Sequence, residues 1–284
     1  MKYVFFGSPE FAATILKKLT EAGYMPEAIV CNPDEPVGRK KIITPPAVKQ
    51  LAISNNWNIK ILQPKKLSDI KDDLKKINAD VFIVAAYAKI ISKEILEMPN
   101  LKTIGVHPSI LPKYRGSSPI QSAILNGEEE TGVSIFIIDE KVDHGPVLAI
   151  SNKQKIAGEN YPELSAKLAD LGGGLLVKIL PDYLNGKIKP QTQSESDATF
   201  TQKFSTKDGE VDLKKDSPKI IFGKVKALNP DPGVFTYIET KKGRIRLKIL
   251  DAELENNNLK LLQIQPDGKK PMAYKEFLNG YKPI

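Results

Sequence analysis

The chain has 284 residues, 41% of them hydrophobic, and its 42 basic and 34 acidic side chains leave a net charge of +8. No apolar run approaches the ~18 residues of a membrane helix, so no membrane span is expected. The single cysteine, Cys31, excludes an internal disulfide and agrees with a reducing cytoplasm, and one Cys with two His argues against a structural zinc site.

The length suits a domain of about 200 residues followed by a small one. Met1 to Gly7 reads as a strand entering a turn, not as a signal peptide. Ser8-Pro9 then starts a helix with Phe11, Ile15 and Leu19 on one face. Strands follow at Ala28–Cys31 and Ile59–Leu62, and helices at 46–55 and 67–77. Asp80–Ala86, with Val81-Phe82-Ile83-Val84 at its centre, reads as a deeply buried strand. This alternation predicts an α/β fold, a Rossmann-like and mostly parallel sheet covered on both faces. Gly7 stands without a Gly-rich fingerprint, so no nucleotide cofactor is expected.

Residues 32–46 are long for a connection between strand and helix. They hold four prolines and the basic run Arg39-Lys40-Lys41. Such a loop is either solvated and uncommitted or built to meet phosphate. Ala86 to Ile91, including Tyr87, Ala88 and Ile90, leaves the buried strand toward a helix near Ser92. By composition alone this stretch is ordinary core.

Residues 101–145 carry both histidines, His107 and His144. Lys102–Val106 reads as a strand with His107 at its end. Pro108, Pro112 and Gly116 exclude regular structure, so Ser109-Ile110-Leu111-Pro112 forms a loop. A helix from Ser118-Pro119 to about Asn126, a strand at Thr131–Ile138 and the turn Val142-Asp143-His144-Gly145-Pro146 follow. Ligands of open α/β sheets sit beyond the carboxyl ends of the strands, where His107 and Asp143 could meet. A histidine at a strand end and an aspartate in a turn are equally structural residues.

Val147–Ile150 is a further strand and Tyr161–Leu184 a long helix. Its Gly172-Gly173-Gly174 marks a break or a close approach to the sheet. Residues 186–207 are polar and turn-rich and read as a linker. The expected division is therefore a domain over 1–185, a linker over 186–207 and a small domain over 208–284. The last 99 residues carry 19 basic and 13 acidic side chains, an excess that suits a polyanionic partner or a solvated surface. A helix at Pro218–Leu228 precedes strands at Phe235–Thr240, Arg244–Leu250 and Leu259–Gln265, the first two joined through Lys241-Lys242-Gly243. A small OB-like barrel or a simpler curved sheet would suit this pattern.

The run His107-Pro108-Ser109-Ile110-Leu111-Pro112-Lys113-Tyr114-Arg115-Gly116, with Asp143 after the next strand, resembles the signature of the folate-dependent formyltransferases. Gly7-Ser8-Pro9-Glu10-Phe11-Ala12 and the loop with Arg39 after Gly38 resemble the methionyl-tRNA formyltransferases among them. The resemblance implies the formyltransferase fold, with 10-formyltetrahydrofolate as co-substrate and initiator methionyl-tRNA as acceptor. It implies catalytic roles for His107 and Asp143. It implies a folate site of Ser109, Ile110, Leu111 and Pro112 with Tyr87, Ala88 and Ile90. It implies tRNA contacts from Arg39, Lys40 and Lys41 and from an OB-like C-terminal domain. The family's extra strands are missing between Leu250 and Leu259, so a truncated barrel is expected. No metal is implied, and a cytoplasmic monomer acting in translation initiation is.

One position departs from the family. Gly105 stands where the family has an Asn that helps hold the formyl oxygen, and His144 is a candidate substitute. Two rivals follow: a small-amine formyltransferase or formyltetrahydrofolate hydrolase of the same fold, and a tRNA-binding homologue with impaired catalysis.

Overall fold

The computed structural model of the chain describes residues 1–38, 40–156, 158–240 and 243–281, so Arg39 and the Lys241-Lys242 turn lie outside it. The strands treated below are β1 (Tyr3–Phe6), β2 (Ala28–Val30), β3 (Lys60–Leu62), β4 (Val81–Ala85), β5 (Thr103–His107), β6 (Ser134–Ile137), β7 (Val147–Ile150), β8 (Val234–Thr240), β9 (Gly243–Glu255), β10 (Asn258–Pro266) and β11 (Met272–Ala273). The helices are α1 (Glu10–Glu21), α2 (Ala47–Ser54), α3 (Lys71–Ile77), α4 (Pro119–Leu125), α5 (Tyr161–Leu184), α6 (Pro218–Leu228) and α7 (Tyr274–Tyr281). The chain forms two compact units. One is Met1–Gly116 with Thr131–Gln154 and Ser165–Phe200; the other is Ser117–Glu130 with Lys155–Leu164 and Thr201–Ile284.

The first unit is a seven-stranded sheet in the order β7-β6-β5-β4-β1-β2-β3. The five strands from β3 to β5 are mutually parallel, and β6 runs antiparallel to both β5 and β7. β1 and β4 are apolar and buried throughout, as a parallel sheet covered on both faces requires. The chain moves outward from β1 through β2 and β3, then returns to β4 on the other side. The crevice beyond the carboxyl ends of β1 and β4 is therefore the switch point where such folds hold ligands.

Several elements differ in detail from expectation. The helix expected over 67–77 begins as a 3-10 turn at Leu67–Ile70 before α3. The strand expected over 131–138 is split at Gly132-Val133, and only Ser134–Ile137 joins the sheet. The loop expected over 32–46 contains a hairpin, Glu35–Val37 against Ile42–Thr44. Its base is tied down: Lys49 Nζ donates to both Asp34 carboxylate oxygens at 2.9 and 2.8 Å and to Gln63 Oε1 at 2.8 Å. Gln63 Nε2 donates in turn to Asp34 at 2.7 Å and to the Asn32 carbonyl at 2.8 Å. α5 runs unbroken through its three glycines. A Cβ at Gly172 would lie 2.9 Å from Val106 Cγ1, and one at Gly173 would lie 2.9 Å from Lys18 Cβ. These two glycines let the helix approach the sheet and α1, which is the second of the two expected readings.

The second unit is a four-stranded antiparallel meander, β8-β9-β10-β11. α6 starts from a Ser217 cap with Pro218 in its first turn and buries Ile221, Val225 and Leu228 against Val234, Leu247, Ile249 and Ile264. α4, expected in the first domain, belongs here, with Ile124 and Leu125 packed on the same core. β9 and β10 are longer than expected. They continue to Glu255 and from Asn258, joined by Asn256 and Asn257 at φ 48° and 64°. Two consecutive residues with positive φ make the twisted two-residue turn that hairpins favour. β8 and β11 are the edges of the sheet among the described residues, so the sheet is open. On the face away from the core, the Arg246 guanidinium lies 3.7 Å from the Phe235 ring centre and that of Arg244 lies 4.3 Å from Tyr237.

No helix among the described residues is long and apolar enough to cross a membrane.

Candidate active site

β5 ends at His107, which is buried and takes its position from the sheet on both sides. Its cross-strand partner on β6 is Ser134. The Ser134 hydroxyl donates to the Ser109 carbonyl at 2.8 Å and accepts from Leu111 N–H at 2.9 Å. The Ser109 hydroxyl closes the loop by donating to the Lys113 carbonyl at 2.6 Å. The loop after His107 is thus ordered, and its Leu111-Pro112 bond is cis. Leu111 is buried beneath it against Phe136 and Val147.

Two polar groups face the imidazole. Nε2 lies 2.9 Å from the Tyr114 carbonyl, and since a carbonyl only accepts, this nitrogen carries the proton. Nδ1 lies 3.6 Å from Asp143 Oδ2. That same oxygen accepts Gly116 N–H at 2.7 Å. His107 and Asp143 therefore meet, and the chain on either side of Arg115 touches both.

The turn that carries Asp143 is tightly built. A Cβ at Gly145 would sit 1.8 Å from the Ile137 carbonyl oxygen, so only glycine lets the chain fold back onto β6. Asp143 and Tyr114 have φ of 46° and 60°, and Ala86, at the end of β4, has φ of 46°. Non-glycine residues in this left-handed region cost about 1–2 kcal/mol each and persist where the surroundings over-determine them, often at functional sites.

Behind the pair lies a group of residues absent from the sequence-based site. Arg115 is 1% exposed. Its Nε donates to Gln193 Oε1 at 3.0 Å and its terminal nitrogens to the Glu195 carboxylate at 3.2 and 2.7 Å. Gln193 Nε2 donates to the carbonyls of Asp143 and Gly145, at 2.9 and 2.7 Å. Thr199 bonds Tyr114 N–H through its hydroxyl and Arg115 N–H through its carbonyl, both at 2.8 Å. Residues 191–199, expected as linker, are in fact wall. Arg115 holds the Glu195 carboxyl below the usual carboxylate range, with a smaller contribution from His144.

His144 itself lies between two carboxylates, 2.6 Å from Asp139 Oδ2 and 3.6 Å from Glu195 Oε1. Gly105 is buried opposite Phe136. Tyr87 stands edge-on to Phe6, its hydroxyl buried and without a partner among the described residues. Burial pushes its pKa up to about 12, so at neutral pH it is an O–H donor. Ala88 is exposed, and Ile90 is 96% exposed. Lys40 and Lys41 are exposed at the turn of the 35–44 hairpin.

The chain matches the model for formyl transferase over residues 1–180 and that for the formyl transferase C-terminal domain over 203–259. The chain belongs to the formyl transferase family. Among curated relatives, the methionyl-tRNA formyltransferase of Dictyoglomus thermophilum is 39% identical across 99% of this chain and 97% of its own. That of Pseudoalteromonas translucida is 36% identical across 99% and 94%. Of solved structures, an N-formyltransferase from Helicobacter canadensis, in complex with folinic acid and dTDP-3-aminofucose, superposes with a TM-score of 0.66 at 20% identity, covering 96% of this chain and 98% of that one. The sugar 3N-formyl transferase WlaRD, solved with dTDP and 5-N-formyl-THF, gives 0.64 at 19% identity over 90% and 87%. At those identities the likeness is one of formyl transferase fold.

Proposed function

We propose that this chain transfers the formyl group of 10-formyltetrahydrofolate to the α-amine of methionine carried on initiator tRNA. The observation that carries the reading is the His107–Asp143 pair, set 3.6 Å apart at the end of β5, in a chain that aligns end to end with methionyl-tRNA formyltransferases.

The residues present fit the folate. Tyr87 offers a buried O–H donor with no protein acceptor, which suits the carbonyl and nitrogen edge of a pterin. Ile90 offers an exposed apolar surface beside it in the chain. The bound folate supplies a formyl carbon open to attack by an amine. His107 passes its Nε2–H from the Tyr114 carbonyl to the formyl oxygen as negative charge grows there. Loss of one such donor costs about 10²–10³ in rate. Asp143 faces Nδ1 and takes up the amine proton through water; as the tetrahedral intermediate collapses, the bond between the formyl carbon and the folate nitrogen breaks and that proton is returned to the leaving nitrogen. Gly105 has no side chain to add a second donor, so His107 carries that task.

The tRNA reading rests on Arg39, Lys40 and Lys41 and on Arg244 over the exposed Tyr237 ring, a combination of charge and aromatic surface that suits a nucleic-acid strand. The open β8–β11 meander serves as the OB-like domain. The protein works as a cytoplasmic monomer in translation initiation.

Formyl transfer from 10-formyltetrahydrofolate to Met-charged initiator tRNA tests this directly. Turnover with that tRNA, and none with free amines or water as acceptor, is the expected result. Folate and tRNA binding without turnover would replace it with a binding protein that has lost catalysis at Gly105.

A further inference from the structure

The Asp143 turn hangs from a side chain that no sequence motif marked. We infer that Gln193 is a positioning residue for Asp143, and that Arg115 locks Gln193 in its working orientation; the inference rests on the catalytic reading of the His107–Asp143 pair given above.

A primary amide has one acceptor end and one donor end. At Gln193 the acceptor Oε1 takes the Nε–H of buried Arg115 at 3.0 Å. That bond fixes which way the amide points, and its two N–H bonds are left for the carbonyls of Asp143 and Gly145, at 2.9 and 2.7 Å. Those two carbonyls flank His144, so a single side chain fixes the backbone on both sides of the turn. Asp143 has positive φ, a conformation that is costlier than the ordinary regions even for aspartate. The carboxylate that results faces His107 Nδ1 and Gly116 N–H.

Arg115 is fixed with equal care. Glu195 takes its two terminal nitrogens, and its own N–H meets the Thr199 carbonyl. Gly116, the next residue, donates to Asp143, while the carbonyl of Tyr114, the residue before, accepts the His107 Nε2–H bond. The stretch 114–116 and the stretch 193–199 together set both members of the pair. Among the described residues, Gln193 donates to the carbonyls on both sides of the Asp143 turn, so its replacement frees the turn while the side chains of His107 and Asp143 stay in place.

Two variants separate positioning from packing. Gln193→Leu removes every bond. Gln193→Glu keeps an acceptor for Arg115 and replaces the two donated bonds by a carboxylate oxygen facing the carbonyls of Asp143 and Gly145. Both are compared with wild type by kcat and KM in formyl transfer, by thermal midpoint, and by the ring resonances of His107, which His144→Gln assigns because the chain has two histidines. The expected result is a fall in kcat of about 10–10²-fold in both variants, as for a small displacement of a catalytic group. Both KM values stay unchanged, and the His107 resonances move in both. Wild-type kcat in Gln193→Glu would overturn the inference and leave Gln193 as a partner of Arg115 alone. A wild-type protein that transfers no formyl group would overturn the catalytic reading. The resonances then decide the positioning: His107 signals unmoved in Gln193→Glu overturn it.

Discussion

Gly105 on β5 and Phe136 on β6 are cross-strand partners, and the Phe136 ring fills the space where a side chain at 105 would begin. A Cβ there would lie 2.6 Å from Phe136 Cε1 and 3.1 Å from Ile138 Cδ1. The glycine and the phenylalanine are one packing unit.

Restoring an asparagine at 105 therefore requires two changes. Gly105→Asn alone overpacks the strand pair, and a loss of about 1–3 kcal/mol in stability is expected by denaturant unfolding. Phe136→Ala alone empties part of the Leu111–Val147 cluster at a cost of about 3–5 kcal/mol, but Gly105→Asn combined with Phe136→Ala relieves the clash and should lose less than the sum of the two single losses. A single variant as stable as wild type would show that Phe136 swings aside freely.

The role proposed for His107 and Asp143 makes separable predictions. His107→Ala should lower kcat by about 10²–10³-fold with little change in either KM, as expected for loss of a donor to the developing charge. Asp143→Asn keeps an acceptor for Gly116 N–H and loses the negative charge facing Nδ1. Its kcat should fall while its thermal midpoint holds. Equal losses in kcat and in midpoint would reduce Asp143 to a turn former.

Lys40 and Lys41 should act on the acceptor alone. Replacing both with Ala raises KM for tRNA, leaves KM for the folate unchanged and flattens the dependence of log affinity on log salt by about 0.7–0.9 per lysine removed. The same change in folate KM would place the hairpin on the wrong substrate.

Acid sensitivity follows from two carboxylates. Asp34 is held below its ordinary value of 3.8 by hydrogen bonds from Gln63 and Lys49, and Glu195 below 4.5 by Arg115. A depressed carboxyl contributes stability above its unfolded pKa and loses it as pH falls through the lower folded value. The thermal midpoint should thus hold steady at neutral pH and begin to fall below 4.5, continuing through the folded values. Asp34→Asn with Glu195→Gln should start lower and fall less steeply; an unchanged slope would assign the acid loss to other groups.

The sheet was legible because each strand of it is a short apolar run bounded by Gly, Pro or polar residues, and β4 states its burial in five consecutive residues. The meeting of His107 and Asp143 was not legible from topology: β6 runs antiparallel to β5 and ends beside Ile104, so the turn after it must fold back along the sheet to bring Asp143 to His107. The β9–β10 hairpin was not, because Asn256-Asn257 sits in a polar run that resembles a loop, although Asn is the residue that tolerates positive φ. Gln193 was illegible in a stronger sense. Nothing in Gln191-Thr192-Gln193 marks which glutamine is buried, and the orientation of its amide comes from Arg115, 78 residues earlier. The burial of Leu111 was not legible either, because its partner Phe136 lies on another strand.

The stitching of residues 191–199 into the site gives the fold and the active centre different end points. A chain cut after Asn185 retains all seven strands of the first sheet and the whole of α5. It loses Gln193, Glu195 and Thr199, and with them the anchors of Arg115 and of the Asp143 turn. Such a fragment should fold, keep His107 on its strand and be inert. The smallest piece able to work is set by the reach of one arginine, not by the edge of the hydrophobic core.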